Sequence, residues 1–352
     1  MFNSSNYLEN KIVDAVLRGQ AFAPPATLYF SYLKCDAVRA NSTAVTLNMT
    51  LGVLCNDSRI HLYKVTTAGT TASSLGSLFT GTADEVVADG TAVLTEQTSP
   101  LDAGTAAVEP TGGSYARASL ACSLTNFAGT QGAGTTAVSS GTTRTTSNNV
   151  VVTWPTPSAS WGSQWGVAVY DAASAGNMLM WGPLTAIQQM VTGDTITFAA
   201  GAATFQLVGA WKNGFANSVI DWLFRGRALL TLGADIFVGL MTDTPSHTVA
   251  GAEVVGGGYA RVAVPRTLAA WSGTQAAGST AASTGTTGQS SNNASVVFPV
   301  PSVGWGTVQS TELFDSASGG VSLFFGALSA PKTIIAGNSV PFAPDGLRVR
   351  VS

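Results

Sequence analysis

Apolar residues first recur at helical spacing: Leu8, Ile12, Ala15 and Val16 fall on one face, with Leu17 beside them. Asn6 stands ahead of them as a cap, Glu9 three residues on closes a capping box, and Gly19 supplies the left-handed residue that ends a helix. The signal returns at Val219, Ile220, Leu223 and Phe224, ended by Gly226. Each helix signal is followed by a run of β-formers, Thr27–Leu33 and Ile236–Leu240. Pro24 and Pro25 hold the backbone extended between the first helix and its strand.

The remainder reads as strands separated by turn residues. Tyr115–Leu120 and Tyr259–Val264 follow glycine-rich turns. Asn148–Trp154 and Asn292–Phe298 are strands ended by prolines, Pro155 and Pro157 in one case, Pro299 and Pro301 in the other. Trp161–Asp171 leads into a hairpin turn, Asp171–Gly176, and Leu179–Leu184 pairs back across it; Asp315–Gly320 and Leu323–Leu328 do the same later. Gly193-Asp194 and Gly337-Asn338 mark a further hairpin before Thr195–Phe198 and Ser339–Phe342. Two Gly/Thr/Ser stretches, about 129–146 and 273–290, hold too few apolar residues to bury themselves and are expected to be exposed loops.

These elements come in pairs because the chain is a tandem repeat. From Gly112 to about Leu207, counterparts stand 144 residues apart without a gap: Tyr115 and Tyr259, Arg117 and Arg261, Trp161 and Trp305, Asp171 and Asp315. Upstream the offset is 207: Asn10 and Asn217, Asp14 and Asp221, Arg18 and Arg225, Gly19 and Gly226. The difference between the offsets, 63 residues, is net extra length in the first copy. A period this long means duplicated domains rather than a solenoid of small repeats. The expectation is a mainly β protein of two homologous antiparallel β-sandwich domains, 1–209 and 210–352, each preceded by a short N-terminal α-helix. The first carries a β-rich insertion at about 36–106, read as a small elaboration or an extended arm and as the place for a specific partner contact.

Composition adds one strong fact. Only 10% of the residues are charged while 45% are hydrophobic, and mean hydropathy is +0.26. Ordinary soluble domains carry about 25% charge. Such a surface suits contact with other protein subunits. Net charge is −3 with no basic patch, so nucleic acid is not expected as a partner. No apolar run approaches the roughly 20 residues that would span a bilayer, and no secretory signal is expected at the N-terminus. Cys35, Cys55 and Cys122 have no metal-like spacing; three buried thiols are expected, although Cys35 and Cys55 are close enough in sequence to pair.

Candidates for chemistry are few. His61 and His247 occupy non-equivalent positions without a second ligand at metal spacing, and both are expected at the surface. Asp171 and Asp315 recur, but in turns that an Asx turn explains. Asp14 with Arg18, and Asp221 with Arg225, stand at i, i+4 and read as helix-surface ion pairs worth about 0.3–0.5 kcal/mol. Arg117 and Arg261 follow glycines, but a strand follows where a phosphate cradle needs a helix, so Tyr115, Arg117 and their counterparts read as structural. Trp161 and Trp305 are read as packing residues, with sugar stacking as the alternative. No nucleophile stands with a plausible base. No catalytic, cofactor-binding or metal-binding residue is assigned, and an enzyme is not expected.

The stretches NYLENKIVDAVLRGQ, GGSYAR and GGGYARV, WPTPSASWG and FPVPSVGWG, and the hairpins YDAASAGNMLMWGPL and FDSASGGVSLFFGAL, together with Gly326–Thr333, resemble a family of tailed-bacteriophage virion proteins labelled tail fibre or tail appendage proteins. The resemblance covers nearly all of both copies but not the insertion. It implies a non-enzymatic structural component of a bacteriophage virion, made in the host cytoplasm and assembled as a symmetric homo-oligomer with other virion proteins in a tail, neck or collar appendage. A capsid decoration protein and a receptor-binding module for host-surface glycan are the alternative readings.

Overall fold

The computed structural model describes residues 2–351, and it is mainly β, with antiparallel sheets in both copies and a helix at the head of each. In the first copy the principal sheet has the order Asn3–Ser4, Met178–Met190, Gly162–Tyr170, Thr27–Cys35, Ala118–Ala121. In the second the order is Ser322–Ile334, Gly306–Phe314, Asp235–Met241, Val262–Pro265, with Trp211 bridging Phe324 at the edge that Asn3–Ser4 occupies in the first. Even the irregularities repeat. The central hairpin of each copy shifts register at two places, Gln164/Gly166 and Val169/Tyr170 in one, Val308/Ser310 and Leu313/Phe314 in the other. Two short ladders complete each copy: 145–147 with 204–206 and 152–153 with 197–198, repeated as 289–291 with 348–350 and 296–298 with 340–342.

Compaction crosses this repeat. One compact unit comprises residues 1–7, 25–121 and 150–203; the other comprises 8–24, 122–149 and 204–352. The helix of the first copy, α1 (Asn6–Leu17), thus contributes nearly all its length to the second unit.

The first unit holds the principal sheet of the first copy and the insertion. The insertion is a β elaboration rather than an extended arm: a five-stranded sheet ordered Ala37–Val38, Thr50–Leu54, Ile60–Thr67, Ala92–Glu96, Val86–Asp89, followed by the short helix α2 (Thr98–Asp102). Period-two alternation gives it two faces. Leu51, Val53, Tyr63, Val65 and Leu94 build its own core with Phe79. Ile60 and Leu62, with Leu101 of α2, pack against Leu33, Trp165, Ala168 and Trp181 of the principal sheet. A buried ion pair between Arg39 and Asp89, at 2.7 Å, ties the insertion's strands to its turns, because Arg39 also donates to the carbonyls of Ala72 and Ser74.

The second unit holds the principal sheet of the second copy, which has no insertion to cover it, and its residues differ accordingly. Gln309 and Glu312 stand where Trp165 and Ala168 stand in the first copy. Glu312 is fully buried and paired with Lys212 at 2.7 Å, and it accepts a hydrogen bond from the Gly251 amide. A short polar turn thus closes the face that the insertion closes elsewhere.

All three cysteines are free. Cys35 and Cys55 are buried in different clusters, Cys35 at the end of a strand of the principal sheet and Cys55 in the core of the insertion, and do not pair; Cys122 is half-buried. Burial pushes the thiols of Cys35 and Cys55 up to about 11 and that of Cys122 to about 12. Thiolates, not thiols, react. With Ellman's reagent near neutral pH, the native protein is expected to show no fast-reacting thiol, and three equivalents on denaturation without reductant.

Candidate functional site

The residues that recur with the most demanding geometry lie within the second unit, where each copy's helix is seated in a Gly/Thr/Ser loop of the other copy. The first helix, α1, uses the polar stripe Asn10, Asp14 and Arg18, which helical spacing places one turn apart on one face. Arg18 donates from Nε to the Trp271 carbonyl (3.0 Å), from Nη1 to Asp14 (2.7 Å) and Ser283 Oγ (3.1 Å), and from Nη2 to the Ala281 carbonyl (2.7 Å). Asp14 accepts from the amide (2.9 Å) and hydroxyl (2.6 Å) of Ser283. Asn10 accepts from Thr274 Oγ1 and donates to the Gly285 carbonyl (3.1 Å).

The second helix, α3 (Asn213–Phe224), repeats this against residues 127–141. Arg225 donates to the Phe127 carbonyl (3.0 Å), Asp221 (2.7 Å), Ser139 Oγ (3.1 Å) and the Ala137 carbonyl (2.7 Å). Asp221 accepts from Ser139 N (3.0 Å) and Oγ (2.6 Å). Asn217 accepts from Thr130 (2.5 Å) and donates to the Gly141 carbonyl (3.1 Å). Every partner is displaced by the repeat offset, so helix and loop are exchanged reciprocally between the copies.

The two arginines are 0% and 1% exposed, which corrects the reading of Asp14–Arg18 and Asp221–Arg225 as surface pairs. The loops are corrected with them. Poor in apolar residues, they do not bury themselves by hydrophobic packing; they wrap a helix through main-chain carbonyls and hydroxyls, and Thr130, Ser139, Thr146, Thr274 and Ser290 become buried. Glycine is required at the tightest points. A Cβ on Gly141 or Gly285 would lie 2.1 Å from the carbonyl oxygen of Thr130 or Thr274. The glycines that end the helices, Gly19 (φ +65°) and Gly226 (φ +67°), lie against the Arg266 and Cys122 carbonyls. Aromatic packing seals α3: Phe224 meets Phe127 at 5.7 Å and Phe205 at 4.8 Å.

The other candidates are structural in geometry. Arg117 binds Glu109 and donates to the Ala172 and Ala175 carbonyls while its guanidinium stacks 3.5 Å from the Tyr170 ring centre. Arg261 does the same with Glu253, Ser316, Gly319 and Phe314. Burial opposes the charge on Arg117, but the Glu109 carboxylate outweighs it and raises the arginine. Asp171 and Asp315 accept from the Asn177 and Val321 amides at 2.7 Å, closing their turns as expected. Trp161 and Trp305 are buried and donate to the Gly113 (2.9 Å) and Gly257 (3.2 Å) carbonyls, packed edge-on to Tyr115 and Tyr259.

Neither histidine is a free surface residue. His247 bonds the Trp211 carbonyl at 2.7 Å. His61, on the insertion, lies between Glu96 (3.1 Å) and Asp57 (3.0 Å). Burial lowers its pKa, but the two carboxylates outweigh that and raise it. Among the described residues no cluster of His, Cys, Asp and Glu is arranged to hold a metal ion, and no helix is long and apolar enough to cross a membrane. Sequence reasoning singled out Asp14, Arg18, Asp221 and Arg225 but missed the partners Ser139, Thr130, Ser283 and Thr274. The available signal was that the loops repeat residue for residue (Thr130-Gln131 and Thr274-Gln275), which an unconstrained linker has no reason to do.

The family model described as podophage GP4 fiber I protein gp80 matches residues 3–76, 70–206 and 210–350. The chain therefore belongs to this family of phage fibre proteins and is a structural protein of the virion. The matched segments run through the insertion, which the motif resemblance did not cover. No curated protein matches the chain.

Two outcomes follow from these geometries. Arg18→Ala or Arg225→Ala leaves an unpaired buried aspartate and stranded carbonyls, and should cost about 3–5 kcal/mol in urea unfolding, against about 0.3–0.5 for a surface pair; Arg348→Ala, at an exposed pair, is the silent control. The raised pKa of His61 also has a sign. Its contribution to stability is fully present below the unfolded value, about 6.5, and is lost as pH rises through the higher folded value. Unfolding followed from pH ~5.5 to ~8 should show stability falling, with a shallower slope in His61→Gln.

Proposed function

We propose that this virion protein is a non-enzymatic building block that assembles as a symmetric homo-oligomer with other virion proteins in a tail, neck or collar appendage. The observation that supports it most is where the charge goes. With only 10% of residues charged, the chain places its recurring arginines, 18 and 225, 117 and 261, against main-chain carbonyls and single carboxylates, in the same geometry in both copies. Such groups hold backbone in place. The face left to solvent is poor in charge and rich in Thr, Ser, Gly and exposed valines such as Val255 (86%) and Val86 (68%), which suits burial against neighbouring subunits. Closed point-group symmetry is the common outcome when one chain must tile around an axis.

A capsid decoration role shares this chemistry and differs in number. A glycan-binding role has less support, because the Trp161 and Trp305 rings are spent on packing rather than presented to solvent. Quantitative mass spectrometry of purified particles is expected to give a dozen copies or fewer, with the purified protein oligomeric by light scattering. Hundreds of copies per particle would move it to the shell, and a protein that stays monomeric and is absent from particles would overturn the proposal.

A further inference from the structure

We infer that the tandem chain is a fused pair, and that the helix-in-loop joint is an association surface whose natural partner is a second copy of the same module. The inference goes beyond the virion role, and it stands or falls independently of where on the particle the protein sits.

The two joints are reciprocal. Helix α1 comes from the first copy and its cradle, 271–285, from the second; helix α3 comes from the second and its cradle, 127–141, from the first. Had the joint arisen as a way to fold one module, each helix would close on its own loop. Instead both are exchanged, and the arginine, aspartate and asparagine contacts described above recur at the same atoms across the offset. Exchange of an identical element between two modules is a low-cost way to make a pair, because each module uses contacts it already encodes.

The joint also has the anatomy of a specific interface rather than of adventitious contact. Its centre is a fully desolvated arginine bound to an aspartate and to carbonyls of the opposite copy, and asparagine–threonine contacts flank it. Buried arginines of this kind are what anchor protein–protein associations. Gly19 turns the backbone, and Pro24-Pro25 hold it extended before Thr27 enters the sheet. The covalent link between the copies, by contrast, is slight. After 204–206 pairs with 145–147, Val208 and Gly209 are exposed before Trp211 is buried at the start of the second copy. The joints, not this link, would hold the halves together.

The test uses the full chain with a protease site inserted between Val208 and Gly209, folded intact and then cut. The inference expects the cut protein to remain a one-to-one complex of about the uncut mass, 35.8 kDa, in native mass spectrometry and on dilution. It further expects Arg18→Lys with Arg225→Lys to leave the uncut chain folded by circular dichroism but to weaken the cut complex by about tenfold per joint, hence about a hundredfold for both. Should the lysine pair prevent folding, Asn10→Ala with Asn217→Ala makes the same comparison with the arginines intact. Separation of the wild-type halves on cutting overturns the inference. So does a cut complex whose affinity neither pair of substitutions changes, because the halves would then be held by something other than the exchanged helices. Particle copy number has no bearing on either result.

Discussion

An arginine that is wholly removed from water must find a partner for every donor, and this requirement organises the second unit. Arg18 and Arg225 each carry five N–H groups that cannot be left bare in a dry site. The cradles meet it with bare carbonyls, which only an irregular backbone can point inward from several directions at once. That explains a loop made of Gly, Thr and Ser: glycine lets the strands of the loop approach to van der Waals contact, and the hydroxyls satisfy the loop's own amides. A regular strand would have spent those carbonyls on its neighbours. The cost is that helix and loop are interdependent, since neither presents a satisfied surface without the other.

This interdependence decides how much was legible in the sequence. Hairpins and helix positions follow from local signals, namely alternation, turn residues and 3.6-residue spacing; strands start a few residues later than expected at Ala118 and Val262, the strand expected over Asn148–Trp154 shrinks to Val152–Thr153, and strand order has no local signal at all. The Asp171 and Asp315 turns were equally readable because an Asx turn is a property of a handful of neighbours. Asp14 and Arg18 were visible as a pair, but spacing alone cannot tell a solvated pair from a buried one. Their burial depends on residues some 250 positions away, and those residues look like a solvated linker. Polar composition in a repeated loop is compatible with burial when the partner is another polar group, and hydrophobicity patterns are blind to that case.

The insertion shows the complementary rule. Where a second sheet lies over the principal sheet, the covered positions are apolar, Trp165 and Ala168 among them; where only a short turn lies over it, the same positions are Gln309 and a paired Glu312. One scaffold therefore supports two finishes of one face, each self-consistent. His61 and its carboxylates belong to the added layer alone, so the response of this histidine to pH enters with that layer.

The one-sided placement of that layer has a consequence for assembly. Two identical polypeptides that exchange helices must be decorated alike, and whatever they meet on one flank they would meet on the other. Fusing the copies into one reading frame releases them from that equivalence. Only the leading module bears the additional sheet, so the two modules cease to be equivalent in what they can contact, and a structure built from the pair can have polarity without recruiting a second gene product.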